Sequence, residues 1–344
     1  MVTYTLKVSS IRRETEDTIT LCFKQPALRK VKYKAGQYLS LIFRINGRRY
    51  IRPYSFSSAP HIDPTLDITV KRVQNGIVSN HIHDVVGVGD SIEVLSPMGD
   101  FTYENKDSSQ DQVFLWGVGS GITPLISLTK QILAEYPDVK VSLVYGNRNH
   151  ESTIFLSLIN ELAASYADRF KVWHFHTQFY AVQEYPFLLE GRITKDRILS
   201  IIQGVKTEQS LHYICGPLSL KESIKNVLFS LNVSENNILS EDFEIIKDPK
   251  DFVDIQTQVV HLNFSGKSYD LEVVKGKTVL ESALDAGIEL PYSCQTGNCN
   301  TCVAKLKSGK LRMIGLNKIR EDLLADEFLL CCSHPLTSDI GLEV

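Results

Sequence analysis

A group of cysteines near the carboxyl end constrains the fold of this chain more than any other feature. Cys294, Cys299 and Cys302 follow the pattern C-x4-C-x2-C, and the pair Cys331-Cys332 comes later. Three thiolates from one tight loop and a fourth from elsewhere can surround two irons, and this spacing is that of 2Fe–2S ligands. A structural zinc site or free thiols in a core are the alternatives. Zinc sites, however, more often pair their cysteines as two C-x2-C motifs.

Length and composition exclude several classes of protein. The 344 residues suffice for two or three domains, and 43% hydrophobic with 22% charged residues is ordinary globular material. A net charge of −3 gives no reason to expect a nucleic acid or an anionic membrane as partner. The longest apolar stretch, 113–128, is broken by glycines and a proline, so we expect no membrane span. Seven cysteines without an export signal at the start predict a reducing compartment, and therefore the cytoplasm.

The first third of the chain, residues 1–105, predicts an antiparallel β-barrel or sandwich, because short runs alternate apolar and polar residues between turns. Arg52-Pro53-Tyr54-Ser55 stands at one strand end. An arginine can pair with a pyrophosphate, a tyrosine can lie against an isoalloxazine ring, and a serine can hydrogen-bond its N-5 position. The alternative is a plain strand that buries Tyr54. A polar seam at 103–112 predicts the domain boundary.

Residues 110–245 alternate strands and helices, which predicts a parallel sheet with helices on both faces and ligands at the carboxyl ends of its strands. The glycine turn 117–124 is a candidate phosphate cradle. It leads into an expected helix over 125–136, with Thr123 available as N-cap. Arg148 follows the second strand, where no acidic residue would repel a ribose phosphate. This favours NADPH over NADH, with a solvated surface charge as the alternative.

Residues 246–257 are charged and contain a proline, which predicts a linker. Residues 258–344 then read as a strand hairpin, a helix capped by Thr278 and ended by Gly287, and the cysteine loop. This order predicts a small α+β domain around the cysteines.

In this order, the motifs resemble the ferredoxin–NADP reductase superfamily, in the form that carries a carboxyl-terminal plant-type ferredoxin of the β-grasp fold. The resemblance rests on the Arg52–Ser55 strand, on Gly-x-Gly-x-Gly-Ile-Thr-Pro at 117–124, on Cys-Gly-Pro at 215–217 and on the cysteine loop. It covers nearly the whole chain. It implies that FAD is held by Arg52, Pro53, Tyr54, Ser55, Gly76, Val78, Ser79 and Phe243. It further implies that the nicotinamide dinucleotide is held by Gly119, Thr123, Arg148, Gly216 and Pro217.

The resemblance also assigns the cluster ligands. In such sequences the fourth ligand directly precedes a polar residue and a Pro-Leu-Thr segment, which assigns Cys294, Cys299, Cys302 and Cys332. Cys331 is then expected to point to the opposite side if the segment is extended. The chain departs from the resemblance at Gln295 and Asn300, where many ferredoxin loops carry a basic or small residue.

The resemblance implies a reductase that passes electrons from NADPH, with NADH as the alternative donor, through FAD to the 2Fe–2S cluster. The acceptor is expected to be an oxygenase component, such as a phenylacetyl-CoA epoxidase-type monooxygenase. Ser55, Cys215 and Glu241 are expected to set the geometry and charge for hydride transfer, and no general base is required. Two alternatives are a reductase for a lipid desaturase or hydroxylase, and a redox carrier or sensor without turnover.

Overall fold

The computed structural model describes residues 2–104, 110–178, 188–245, 247–316 and 320–344. Parts of the predicted seam (105–109) and of the predicted linker (246) therefore lie outside the described residues. The chain divides into two compact units. One contains residues 1–41 and 54–241, and the other contains residues 42–53 and 242–344. Within the described ranges, no helix is both long enough and apolar enough to cross a membrane.

The amino-terminal part forms a six-stranded sheet, in the order β4-β3-β6-β1-β2-β5. The elements are β1 (Thr3–Thr15), β2 (Thr18–Phe23), β3 (Tyr38–Ile45), β4 (Arg48–Ser55), β5 (Leu66–Lys71), α1 (Ile77–Asp84) and β6 (Ser91–Leu95). The pairings β1–β2, β1–β6 and β2–β5 are antiparallel. A bridge between Phe56, directly after β4, and Ile68 of β5 joins the two edges of the sheet. Such a closed sheet is the predicted antiparallel barrel.

A second six-stranded sheet follows, in the order β10-β9-β8-β7-β11-β12, and the pairings along it are parallel. Its strands are β7 (Gln112–Val118), β8 (Lys140–Asn147), β9 (Phe170–His176), β10 (Leu188–Glu190), β11 (Ser210–Cys215) and β12 (Ile238–Glu241). Its helices are α2 (Ile122–Glu135), α3 (Leu156–Ser165), α4 (Lys195–Ile202) and α5 (Leu218–Ser230). Separate apolar cores cover its two faces, as predicted for a parallel sheet.

The start of α2 differs from the prediction. The helix begins at Ile122, directly after a 3-10 turn over Gly119–Gly121, and Gly121 takes the N-cap position without a side-chain cap. Thr123 lies inside the helix and its hydroxyl donates to the Ser120 carbonyl at 3.1 Å. The prediction that Thr123 caps this helix was therefore wrong, because the glycine turn is itself helical and continues into α2.

The carboxyl-terminal unit contains a five-stranded sheet, in the order β14-β13-β19-β15-β17, and a two-stranded sheet of β16 and β18. The elements are β13 (Gln258–Phe264), β14 (Lys267–Val273), α6 (Val279–Asp285), β15 (Val303–Ser308), β16 (Leu311–Met313), β17 (Glu327–Leu329), β18 (Ser333–Pro335) and β19 (Ile340–Glu343). Thr278 and Glu281 form a reciprocal capping box at the start of α6, as the sequence predicts.

The segment predicted as a linker is packed over its described part. A 3-10 helix spans Pro249–Phe252, and Phe252 and Ile255 are buried against Ile314. The charged residues of this segment are exposed, while two of its apolar side chains, Phe252 and Ile255, anchor it to the carboxyl-terminal unit. It is therefore a part of that unit and not a loose connector.

Candidate functional site

Three side chains predicted to act on the hydride lie together in the first unit. The hydroxyl of Ser55, the last residue of β4, donates to Oε2 of Glu241 at 3.3 Å. Glu241 ends β12, and it is the register partner of Cys215 at the end of β11. Register partners on adjacent parallel strands lie about 5 Å apart. Strand ends from the barrel and from the parallel sheet therefore bring Ser55, Glu241 and Cys215 to one place, where Ser55 and Cys215 are buried.

The glycine turn fits closely against the end of β11. A Cβ atom added to Gly121 would lie 2.1 Å from the carbonyl oxygen of Cys215, so only glycine allows this approach. Gly119 has a φ of +56° and open space around it. No side chain caps α2, and the N–H of its first residue, Ile122, donates to the carbonyls of Gly119 and Ser120. An N–H group that meets a phosphate here must therefore come from the glycine turn that precedes the helix. The phosphate cradle stays a prediction, which the close approach of Gly121 to β11 favours.

The helix α1 offers a second position of this kind. Gly76 is its N-cap residue, and no side chain caps the helix. The hydroxyl of Ser79 accepts a hydrogen bond from the Val73 amide at 3.1 Å and so holds the turn before the helix. A Cβ on Gly76 would lie 2.5 Å from that hydroxyl. Val78 and Ser79 are buried, so the helix is fixed with its amino end free for a pyrophosphate.

Arg148 and the Cys-Gly-Pro turn occupy the predicted ends of strands. Arg148 directly follows β8 and its side chain is exposed. Gly216 and Pro217 directly follow β11, and a Cβ on Gly216 would lie 3.0 Å from a Leu220 side-chain carbon. This close packing lets the backbone of the turn lie near the glycine turn that precedes α2.

The cysteines form one group in the second unit. Cys294, Cys302 and Cys331 are buried, and Cys299 is half-buried. The thiol of Cys294 is in hydrogen-bonding contact with Cys299 and Cys331, and Cys331 also contacts Cys302. These contacts lower the pKa of Cys294 and raise the pKa of Cys299 and Cys331, because in each pair one thiol donates the hydrogen bond and the other accepts it. Four thiols fit a 2Fe–2S cluster in number and in chemistry, while among the described residues no three potential ligands are grouped closely enough to hold a single metal ion.

The position of Cys331 contradicts the expectation that it points away from this group. Residues 330–332 form a turn between β17 and β18, and the Cys332 amide donates to the Leu329 carbonyl at 3.1 Å. The alternation of an extended strand therefore does not apply to this pair. The thiol of Cys332 donates to the Leu329 carbonyl at 3.3 Å and also contacts the Cys331 thiol, and the side chain is fully buried.

Residues of the predicted flavin strand line the same cavity as the cysteine loop. The cavity measures about 570 Å³ and belongs to the second unit. Arg52, Pro53 and Phe243 line it together with Cys294 and Cys331. Arg52 donates to the Ile51 carbonyl at 2.8 Å. Phe243, predicted from sequence to approach the flavin, thus also lies beside the cysteines.

Sequence reasoning missed the contacts that hold residues 42–53, the β3–β4 hairpin, in the second unit. The Ile51 amide donates to the hydroxyl of Tyr292 at 2.9 Å, and this bond is buried. Arg44 forms a two-bonded ion pair with Glu289 at 2.8 and 3.2 Å. Arg48 pairs with Asp285 at 2.8 Å. Tyr292 lies two residues before Cys294. The sequence gives no sign of its hydroxyl contact with Ile51, and burial alone would assign the ring to a core.

Three family models match the chain in sequence order. They are an oxidoreductase FAD-binding domain over residues 5–103, an oxidoreductase NAD-binding domain over 115–226 and a 2Fe-2S iron-sulfur cluster binding domain over 262–337. The donor groups described above, with two helix ends without side-chain caps and four thiols, fit these three cofactors.

The chain is similar to reductase proteins over nearly its whole length. It is 32% identical to the ferredoxin reductase component of 3-ketosteroid-9-alpha-monooxygenase from Rhodococcus rhodochrous, over 98% of this chain and 96% of the relative. It is 28% identical to one of the polypeptides of 1,2-phenylacetyl-CoA epoxidase from Escherichia coli, over 99% and 97%. The solved structure of phthalate dioxygenase reductase has the same fold, with a TM-score of 0.68, 24% identity and coverage of 99% and 98%. The chain therefore belongs to the family of flavin- and iron–sulfur-binding reductases that combine FAD, NAD and 2Fe–2S domains in one polypeptide.

Proposed function

We propose that this chain is the reductase component of an oxygenase system, which takes electrons from NADPH through FAD to a 2Fe–2S cluster and then to the oxygenase. The cavity shared by Arg52, Pro53, Phe243, Cys294 and Cys331 carries this proposal. Residues expected to hold the flavin and residues expected to hold the cluster line one space, and single-electron transfer between the two cofactors requires such proximity. A carrier without turnover would not need the grouped Ser55, Cys215 and Glu241.

Bound FAD would supply the conversion of a two-electron hydride into single electrons. The residues of the chain orient the reactants for this conversion. Ser55, fixed by its bond to Glu241, offers a hydroxyl at the strand end where the flavin N-5 position is expected. The carboxylate of Glu241 and the buried thiol of Cys215 confine the nicotinamide side of the site, and Thr123 in the first turn of α2 is expected on the same side. Burial of Ser55 and Cys215 keeps water from the reacting atoms.

We further propose Cys294, Cys299, Cys302 and Cys331 as the cluster ligands, in place of the set that contains Cys332. The contacts of Cys331 with Cys294 and Cys302 support this choice. Cys331→Ser should abolish the iron–sulfur absorbance and lower the iron content, whereas Cys332→Ser should retain both. Retention of the cluster in the first variant together with its loss in the second would restore Cys332 as the ligand.

Arg148 supports NADPH as the preferred donor, because its exposed guanidinium directly follows β8 and can pair with a ribose phosphate. NADH would lack this contact. We likewise propose a cytoplasmic location, which suits a chain with seven cysteines. We also propose domain limits of 1–105, 110–245 and 258–344.

The oxygenase as partner is supported by the relatives, which are named as components of a ketosteroid monooxygenase, a phenylacetyl-CoA epoxidase and glycine betaine monooxygenases. The substrates in these names differ widely. We therefore propose an oxygenase as the partner, with the phenylacetyl-CoA epoxidase type as one example, and we propose no particular substrate.

Purification followed by visible spectroscopy tests the proposal. The protein should show flavin and iron–sulfur absorbance, and anaerobic addition of NADPH should bleach the flavin first and then the cluster. Catalytic reduction of cytochrome c distinguishes a reductase from a carrier. Failure of NADPH and NADH to bleach the flavin would refute the proposed function.

A further inference from the structure

Arg320 is buried to an extent unusual for an arginine on a loop. It lies between β16 and β17, in the second unit, and its side chain is 6% exposed while that of its partner Asp322 is 51% exposed. A charged side chain is rarely buried unless its donors are satisfied and its charge is paired. The hydrogen-bond partners of this guanidinium therefore indicate its role in the structure.

The guanidinium bonds to the cysteine loop and to one carboxylate at once. Nη1 donates to the carbonyl of Gly297, and Nη2 donates to Oδ1 of Asn300. Nε and Nη2 also form a fork with the carboxylate of Asp322, at 2.8 and 2.7 Å. Asn300 completes the ring by donating from Nδ2 to Asp322 Oδ2 at 3.0 Å. Gly297 lies between Cys294 and Cys299, and Asn300 directly follows Cys299, so this network holds the loop at two points among its cysteines.

The charges in this network are arranged asymmetrically. The guanidinium is buried beside the loop, and the pKa of Arg320 is raised by its hydrogen bond to Asp322 and also by the nearby Cys299 and Cys294. The carboxylate of Asp322 is on the solvent side, where water screens it. The two charges are bonded directly to each other, but water screens the half-exposed carboxylate more than the guanidinium, so the positive charge has the larger effect on the loop.

We propose that Arg320 is a positioning residue of the iron–sulfur site, which fixes the cysteine loop through Gly297 and Asn300 and raises the reduction potential of the bound cluster. The inference rests on the proposed cluster site. Uptake of one electron adds one negative charge inside the loop, and a fixed guanidinium stabilises this additional charge. Net charge and hydrogen bonding near the sulfur atoms are general determinants of cluster potentials.

The sequence alone could not reveal this residue. Gln295 directly follows Cys294 inside the loop and is uncharged, so the loop has no cation of its own at that position. The compensating cation comes from a separate segment, twenty-three residues after Gly297 along the chain. Only the folded arrangement brings the two together.

The experiment compares Arg320→Gln with Asp322→Asn in the full-length holoprotein. Iron and acid-labile sulfide per chain are measured first, and the midpoint potential is then measured by spectroelectrochemical titration. We expect Arg320→Gln to shift the potential to more negative values. Asp322→Asn should shift it to more positive values, because the guanidinium then acts without its counter-charge. Arg320→Lys should recover part of the potential lost in Arg320→Gln.

Arg312→Gln is the matched control, since Arg312 belongs to the same unit and its partners are Asp254 and the Asp251 carbonyl. A loaded Arg320→Gln or Asp322→Asn variant with the potential of this control would overturn the proposal. If Arg320→Gln loses iron, Asp322→Asn still decides through the sign of its shift. A wild-type protein without iron and sulfide would instead refute the cluster site itself, a result that is distinct from unchanged potentials.

Discussion

The bond between the Ile51 amide and Tyr292 allows a sharp test of how the β3–β4 hairpin is held. In Tyr292→Phe the ring remains, but the Ile51 N–H loses its acceptor. Ile51 is 1% and Tyr292 is 2% exposed, so water cannot take over the bond without a local rearrangement. An unsatisfied buried donor costs about 1–3 kcal/mol. The two ion pairs of the hairpin are each worth only about 0–1 kcal/mol, because their side chains are largely exposed.

This free energy converts into a rate that can be measured. Loss of about 1–3 kcal/mol should increase the population of the open hairpin about 5- to 150-fold, and amide exchange at Ile51 should accelerate by the same factor. Hydrogen–deuterium exchange read at single residues measures it. Arg44→Gln should accelerate exchange about 5-fold or less, and added salt should reduce the difference from wild type.

Tyr269→Phe, in β14 of the same unit, is the control for loss of a tyrosine hydroxyl away from the hairpin. Unchanged exchange at Ile51 in Tyr292→Phe, with the flavin and cluster bound, would refute the assignment of this bond as the main contact. A larger effect of Arg44→Gln than of Tyr292→Phe would show that surface charge holds the hairpin.

Three further outcomes are expected. Ser55→Ala should slow flavin reduction by NADPH about 10- to 100-fold at unchanged flavin content, because a bond to the Glu241 carboxylate of about 1.5–3 kcal/mol is lost. Stopped-flow absorbance measures this rate, and an unaltered rate would show that Ser55 has no such role. Arg148→Gln should weaken NADP⁺ binding about 10-fold or more in calorimetry while leaving NAD⁺ binding unchanged, and equal losses for both would contradict phosphate recognition. His212 accepts a hydrogen bond from the Trp116 indole, and burial lowers its pKa to about 3. Since an unfolded histidine titrates near 6.5, the unfolded state binds the proton first as the pH falls. Stability should therefore decrease below pH 6.5 by up to about 1.4 kcal/mol per pH unit, and chemical denaturation of His212→Gln should show a shallower slope.

Local patterns were sufficient for much of the fold and site. Alternation of strands and helices fixed the parallel sheet, and Thr278 with Glu281 marked the start of α6, because these features depend on neighbouring residues. The family resemblance suggested Ser55, Cys215 and Glu241 together. Cys215 and Glu241 end adjacent strands of the parallel sheet, whereas Ser55 ends a strand of the barrel.

Features that depend on a turn or on distant partners were not predictable. Cys332 was chosen from its register before the Pro-Leu-Thr segment, and Cys331 was expected to point away only if the backbone is extended. The turn at 330–332 removes that condition. The linker prediction followed the charges of 246–257, whereas the position of the segment is set by burial of Phe252 and Ile255. Arg320 carries no sequence signal, because its partners are separated from it along the chain.

The hairpin contacts bear on how such a polypeptide can exchange its modules. A cut within residues 246–257 separates the ferredoxin-like sequence from the rest, yet the hairpin at 42–53 has its partners beyond that cut. A foreign ferredoxin grafted at this point would arrive without Tyr292, Glu289 and Asp285 or with other residues in their places. Such a recombinant would keep the reading frame but lose the contacts that hold the β3–β4 hairpin. A functional chimaera must therefore take the hairpin and its partners from the same parent. The segment to be exchanged thus consists of two separate parts of the gene, which encode residues 42–53 and 242–344.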